Sequence, residues 1–326
     1  MLTTKLTELT GIAHPIIQAG MGADAGPALA AAVSNSGALG TLGTIGSPVS
    51  LIRTNLAATR AATMKPFAVN IITFDWAPFA PQLLDLVIEE RVPVVTLSFG
   101  SFETALERCK AAGIVTLVQV QDIAGAKSAL AEHADAVIVQ GAEAGGHTGH
   151  RGTLSFAAQV LDMAGDVPVV LAGGVGSGRG LAGALAMGAA GVVMGTRFKA
   201  TLEFTATASQ KQAIVGSDGS NTLADPLFDA PYPFTWPAGI VGRAMRSRFS
   251  EEWAGRTGEV RAKAKTYPSL FGMVMELGQD PATEINWAGE SSGLVHEVLP
   301  AAEVVQRTVS EAQRLLRAAV AVATTL

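Results

Sequence analysis

The chain has 326 residues, 48% of them hydrophobic and 16% charged, a balance that suits a compact enzyme-like body and excludes an intrinsically disordered chain. A net charge of -5 and a pI near 5.6 leave no electrostatic footprint for nucleic acid. The single Cys109 excludes an internal disulfide and fits a reducing compartment. The first twelve residues carry Lys5 and Glu8 and lack an apolar centre, so no signal peptide is expected. The uncharged tracts 25–52 and 180–196 are broken by Pro, Ser, Asn and Gly, so neither reads as a membrane span. A soluble, cytoplasmic protein is the expectation.

Short apolar runs recur along the chain at 16–18, 38–42, 67–70, 94–97, 115–118, 136–139, 169–172 and 191–194. Their centres lie roughly 20 to 30 residues apart, the length of a strand plus its crossover helix. Continuous apolar character, without alternation, marks strands buried on both faces of a parallel sheet. Between them, 81–90 places Leu83, Leu84, Val87 and Ile88 on one helical stripe, and 103–112, 122–132 and 179–187 read similarly, with Gly113 as a terminator. Eight such units predict a TIM (β/α)8 barrel; a doubly wound open sheet is the competing arrangement.

The repeat breaks after about residue 207. Residues 208–287 carry Pro226, Pro231, Pro233 and Pro237, three of the four tryptophans, and a basic run at 242–248 read as helical. A long amphipathic helix follows at 301–321, with Val305, Val309, Ala312 and Leu316 on one face. The reading is a barrel formed by 1–207 and 288–326, with a small, mostly helical inserted second domain, 208–287, on the substrate side.

A TIM barrel carries its chemistry at the carboxyl ends of its strands. Those ends read Gln18-Ala19-Gly20-Met21, Asn70, Gln119, Gln140 followed by the turn Gly145-Gly146-His147, Gly173-Gly174 and Gly195-Thr196. Gly-rich loops after the last two strands suit a phosphate, with the helix starting near 177–179 supplying a positive dipole end. Asn70, Gln119 and Gln140 are amides that both donate and accept, which suits the edge of a heterocycle or, equally, neighbouring backbone. His147 is read as a proton-transferring group, because imidazole is the side chain that titrates nearest neutrality. His150 is its competitor, otherwise a solvated loop residue, and Glu143 is read as facing solvent. No metal-ligand spacing surrounds His147, so no metal is expected. Lys65, Lys110 and Lys127 do not sit at strand ends, which leaves no evident Schiff-base lysine.

These segments together resemble the nitronate monooxygenase family, formerly 2-nitropropane dioxygenases. The resemblance runs through His14-Pro15-Ile16-Ile17-Gln18-Ala19-Gly20-Met21, Pro66-Phe67-Ala68-Val69-Asn70, Gln140-Gly141-Ala142-Glu143-Ala144-Gly145-Gly146-His147, Ala172-Gly173-Gly174-Val175, Met194-Gly195-Thr196-Arg197-Phe198 and Trp287-Ala288-Gly289-Glu290-Ser291-Ser292-Gly293-Leu294. It implies an FMN cofactor held at Ala19, Gly20, Met21, Asn70, Gln119, Gln140 and Gly145, with its phosphate at Gly173, Gly174, Gly195 and Thr196. It implies His147 as catalytic base, and oxidative denitrification of a small-molecule alkyl nitronate such as propionate 3-nitronate with O2. Two departures stand out: Phe204 follows Thr201-Leu202-Glu203 where the family often has Ser or Cys, and Glu290 stands where Gln is common. The same scaffold suits an NAD(P)H-dependent FMN reductase of quinones or enoyl thioesters. A flavin-free barrel binding a phosphorylated metabolite is the third reading. Oligomeric state is not legible, and a homodimer is entertained.

Overall fold

The computed structural model describes residues 2–74, 77, 79–232, 236–264 and 285–323. Each of the eight apolar runs forms a parallel strand: β1 (Ile16–Gln18), β2 (Gly40–Gly43), β3 (Phe67–Thr73), β4 (Val94–Gly100), β5 (Val115–Val120), β6 (Ala136–Gln140) and, after a short separate strand β7 (Gly146–Thr148), β8 (Val169–Ala172) and β9 (Gly191–Met194). Their order is β1-β9-β8-β6-β5-β4-β3-β2. A parallel bridge between Ile17 and Leu39 joins the two ends. There Gln18 N–H donates to Leu39 O and Leu39 N–H to Ile16 O, each at 2.9 Å. The ring is therefore a TIM barrel, and the open doubly wound sheet is set aside.

The uninterrupted apolar runs follow from burial on both sides. Ile17, Leu39, Ala68, Leu117, Ile138, Val170 and Val193 fill the barrel interior, while Ile16, Val69, Val95, Val118, Val137 and Val192 face the surrounding helices. Leu6, on α1 (Lys5–Thr10), joins the interior cluster, so this first helix belongs to the barrel's inner packing. The helices expected at 81–90, 103–112, 122–132 and 179–187 form. In chain order the outer helices are α2 (Pro27–Asn35), α3 (Val49–Ala62), α4 (Ala80–Glu89), α5 (Glu103–Ala111), α6 (Ile123–Ala131), α7 (Thr153–Ala164) and α8 (Gly178–Ala186). Cys109 is fully buried on α5, and burial pushes its thiol up to about 11, so it is an inert packed thiol. After β9 comes one helical turn, α9 (Thr196–Lys199).

The helix expected at 301–321 spans Ala301–Ala323 and packs against α8. The approach is close: a Cβ on Gly178 would lie 2.5 Å from Thr308 O. Glu311 of this helix accepts the Gly178 N–H at 2.8 Å. The first N–H of α8 is thus taken by a carboxylate and is not one that a phosphate at this helix end would use.

The described part of 208–287 holds α10 (Ala208–Val215), β10 (Thr222–Ala224), a 3-10 turn at Pro226–Asp229, β11 (Val241–Met245), α11 (Arg248–Glu252) and α12 (Thr257–Ala264). Leu227, Phe228, Ala244, Phe249, Trp253 and Val260 form an apolar cluster of their own. The basic run 242–248 is not a helix. Its first part is β11, paired antiparallel with β10 on one side and with β7 on the other. Burial there alternates at Gly242 and Ala244 against Val241 and Arg243, which is the period of a strand. The helix begins only at Arg248, where Ser247 and Ser250 form a reciprocal cap.

Two substitutions, one on the C-terminal helix that caps α8 and one within α8, should move stability in opposite directions. Glu311→Ala removes the carboxylate on Gly178 N–H and should cost about 1 kcal/mol. Gly183 is exposed in the helix interior with open space where a Cβ would go, so Gly183→Ala should add roughly 0.5–1 kcal/mol. Urea unfolding of the two variants checks both signs.

Candidate active site

A cavity of about 550 Å3 opens at the carboxyl ends of the barrel strands, within the range of small-molecule sites. All twelve residues named from the sequence as catalytic or cofactor-binding line it, from Ala19 at the end of β1 to Thr196 after β9. The tight ends of the strands explain several of the glycines. A Cβ on Gly20 would fall 2.4 Å from Asn70 Cβ, so only glycine lets the end of β1 pass the end of β3. Gly173 and Gly174 take φ of +99° and +73°, which favours glycine and turns the backbone after β8 toward the cavity.

The amides are wired to one another. Gln140 Oε1 accepts from Gln119 Nε2 at 3.2 Å and from Gln121 Nε2 at 3.0 Å. Asn70 Nδ2 donates to Ser98 Oγ at 2.6 Å and to Thr96 O at 3.3 Å. With those contacts made, Gln140 keeps its –NH2 and Asn70 its carbonyl oxygen for a ligand. Thr41 Oγ1, on β2, is buried and lines the cavity with no partner among the described residues. A donor amide, an acceptor amide and a spare hydroxyl around one slot match a heterocycle that both donates and accepts.

The histidine turn is held from three sides. Glu143, expected to face solvent, instead accepts from Thr153 N–H at 2.9 Å and from Thr153 Oγ1–H at 2.6 Å, capping the start of α7. Arg243 Nε, on β11, donates to Ala142 O at 2.9 Å. Gly145 and Gly289 lie against each other: a Cβ on Gly145 would be 2.4 Å from Gly289 N, and one on Gly289 2.3 Å from Glu143 O. His147 itself lies on β7, opposite Gly242 of β11. Its Nε2 is 2.5 Å from Asp229 Oδ1. The ring stacks on Trp236, with centroids 3.7 Å apart and an interplanar angle of 14°, and tilts against Trp287 at 5.0 Å. His150 is exposed and outside the cavity, which removes it as a competitor. Glu290 is also outside, paired with Arg243 at 3.4 Å.

Asp229, Trp236, Tyr232 and Lys199 were not singled out from the sequence, and all four line the cavity. Tyr232 is pushed up to about 12 by burial, with the charges of Asp229 and Asp24 adding to it, so its phenol stays protonated near neutrality. Lys199 is 6% exposed and burial pushes its amine down to about 8. It stands four residues past Gly195, so the strand-end lysine that appeared to be missing is present.

A family model described as nitronate monooxygenase matches residues 3–79 and 72–311. The chain belongs to the nitronate monooxygenase family. Its relatives in that family and fold carry different activities in their names. A (3aS,4S,5R,7aS)-5-hydroxy-7a-methyl-1-oxo-octahydro-1H-indene-4-carboxyl-CoA dehydrogenase of Rhodococcus jostii is 46% identical over 228 residues, a match covering 70% of this chain and 64% of that protein's length. A nitronate monooxygenase of Pseudomonas aeruginosa is 31% identical, covering 95% of this chain and 99% of the other. The solved structure of FabK from Thermotoga maritima superposes with a TM-score of 0.86 at 31% identity, covering 97% and 98% of the two chains. The chain is an oxidoreductase by this kinship.

The contact between Gly145 and Gly289 yields a direct test. Gly145→Ala forces backbone apart at that point and should cost about 1–3 kcal/mol, read by urea unfolding against the parent.

Proposed function

We propose that this chain is an FMN-dependent oxidoreductase that removes a proton from the carbon next to a thioester carbonyl, with His147 as the base. The contact between His147 Nε2 and Asp229 Oδ1 carries the reading. An ionised carboxylate only accepts, so it selects the tautomer with hydrogen on Nε2 and leaves the Nδ1 lone pair as the basic position. Asp229 thus orients the ring and stabilises the imidazolium that forms, as the acid of a catalytic triad does. Trp236 stacks on the ring and Trp287 tilts against it, which fixes the ring plane.

The cavity's residues fit FMN. The backbone of Ala19, Gly20 and Met21, the amides of Asn70, Gln119 and Gln140, and Gly145 would hold its ring and ribityl edges. Gly173, Gly174, Gly195 and Thr196 would hold its phosphate; Thr196 Oγ1 accepts Gly289 N–H at 2.9 Å and retains its own proton to donate. When bound, the flavin supplies a two-electron acceptor beside the carbon acid. Residues 208–287 act in this reading as a substrate-side unit that brings Asp229, Tyr232, Trp236 and Trp287 to the barrel mouth.

Kinship to the Rhodococcus CoA dehydrogenase supports the thioester. Oxidation of a small alkyl nitronate, such as propionate 3-nitronate, by O2 is the second reading, favoured by the family model and the Pseudomonas relative. The same base would serve the second reading only where a neutral nitroalkane must first be deprotonated.

Purified protein should be yellow and release FMN, not FAD, on denaturation. Mixed without oxygen with a panel of saturated and hydroxylated acyl-CoA thioesters, it should bleach with at least one of them. Bleaching by none, together with oxygen uptake on nitronates, would replace the thioester reading with the second. Bleaching by NADH alone would instead favour a reductase of quinones or enoyl thioesters. His147→Ala should slow turnover of any substrate with an α-proton by at least about 100-fold, and Asp229→Asn should slow it by a similar order without changing the ring's packing. Preformed nitronates need no proton removed and should be far less affected by His147→Ala.

A further inference from the structure

Lys199 has no role in the chemistry above, yet its surroundings are those of a binding group. It comes off the barrel directly after β9, is buried, and lines the same cavity as His147. Its Nζ donates to Trp287 O at 3.1 Å, and among the described residues no carboxylate oxygen lies within 4.0 Å of it. An ammonium has three N–H donors, so two are not used by that contact. The Asp24 carboxylate acts on it from beyond ion-pair distance and the Phe204 ring lies 6.0 Å from it. No anion among the described residues therefore touches the buried ammonium directly, an arrangement that is costly and that a bound anion would relieve. Trp287 connects this group to the base: its carbonyl accepts from Lys199 and its ring lies against His147.

We propose that Lys199 forms an oxyanion subsite, holding the substrate oxygen on which negative charge collects when His147 takes the neighbouring α-proton. This rests on the base assignment of His147. In that step the α C–H bond breaks, the proton passes to His147 Nδ1, and the electron pair delocalises onto the carbonyl oxygen, or onto a nitro oxygen in a nitroalkane. The Lys199 ammonium then neutralises that oxygen without a proton being moved. The ligand class is a planar, delocalised oxyanion next to a carbon acid, which thioester enolates and nitronates share.

The lowered amine range gives the binding a pH signature. The folded Lys199 is charged below about 8 and neutral above it. Oxyanion affinity should therefore be present below pH 8 and lost as the pH rises through it. Four other titratable groups bear on the region: Asp24 after β1, Asp229 and Tyr232 of the late segment, and His147 on β7. Arg197, on the same turn, is directed away to Glu297 O at 3.0 Å. Tyr232 stays neutral through the range, and a His147→Ala variant separates imidazole from lysine.

Sodium acetate is the probe: a planar two-oxygen anion, titrated into the purified flavoprotein and followed by tryptophan fluorescence, with acetamide as its neutral counterpart. The parent should bind acetate, and Lys199→Gln and Lys199→Met should bind it at least about tenfold more weakly at pH 7. Lys199→Gln keeps an N–H for Trp287 O, so its melting temperature should stay near the parent's and separate charge from packing. Lys199→Arg should retain acetate binding and lose the fall near pH 8, while His147→Ala should keep that fall. Equal acetate affinity in the parent and Lys199→Gln, or no acetate binding by the parent, overturns the subsite. Neither outcome depends on thioester turnover. Acetate binding that needs Lys199, alongside no reaction with any acyl-CoA, would overturn the thioester reading and leave the subsite standing.

Discussion

The short antiparallel pairing of β7 with β11 is the constraint on which the site depends. It takes a three-residue segment of a barrel loop and fastens it to a strand almost a hundred residues further on. Without that ladder the turn at Gly145–Gly146 would leave His147 on a glycine hinge, free to sample many orientations. With it, the imidazole is opposite Gly242, its edge meets Asp229, and Trp236 and Trp287 cover its faces. The absence of a side chain on Gly242 is part of the fit, since a Cβ there would fall 2.5 Å from the Trp287 ring.

The barrel and the ligand-facing ends of its strands were legible because each rule involved is local. A strand buried on both faces announces itself as an apolar run, as at Val137–Val139 or Val169–Leu171. Position at the carboxyl end then nominates Asn70, Gln140 or Gly195 with no knowledge of the third dimension. Asp229 obeys no such rule. It lies 82 residues from His147 and reaches it through the path of the late segment, which no spacing encodes. The strand at Val241–Met245 was misread for a related reason: a five-residue strand containing glycine and arginine has little apolar periodicity, and its basic composition resembled a helix face. Glu143 looked solvent-directed because its partner, Thr153, follows only after a turn. Lys199 is different again. It was visible at the end of the eighth barrel strand and was passed over because the lysines considered lay elsewhere.

The two halves of the cavity differ in how they are held. The barrel floor is fixed by backbone ladders and glycine contacts that tolerate no added atoms, as between Gly20 and Asn70. The wall opposite is made by aromatic and charged side chains carried on the late segment, whose packing rests on a separate apolar cluster. Relatives named for a CoA thioester and for a nitronate are compatible with such a division, because the wall can be remade while the floor is left alone.

The distance in sequence between His147 and Asp229 also sets an order of assembly. A chain emerging from synthesis can complete β6 and β7 long before Asp229, Trp236 and β11 exist to receive the histidine. Long-range contacts of this kind form late, after the local strand and helix units have paired. The imidazole of a nascent barrel therefore has neither its orienting carboxylate nor its aromatic cover. A truncated product ending before residue 229 would carry all eight barrel strands and no organised base. Competence for chemistry is in this sense a checkpoint on completion of the polypeptide.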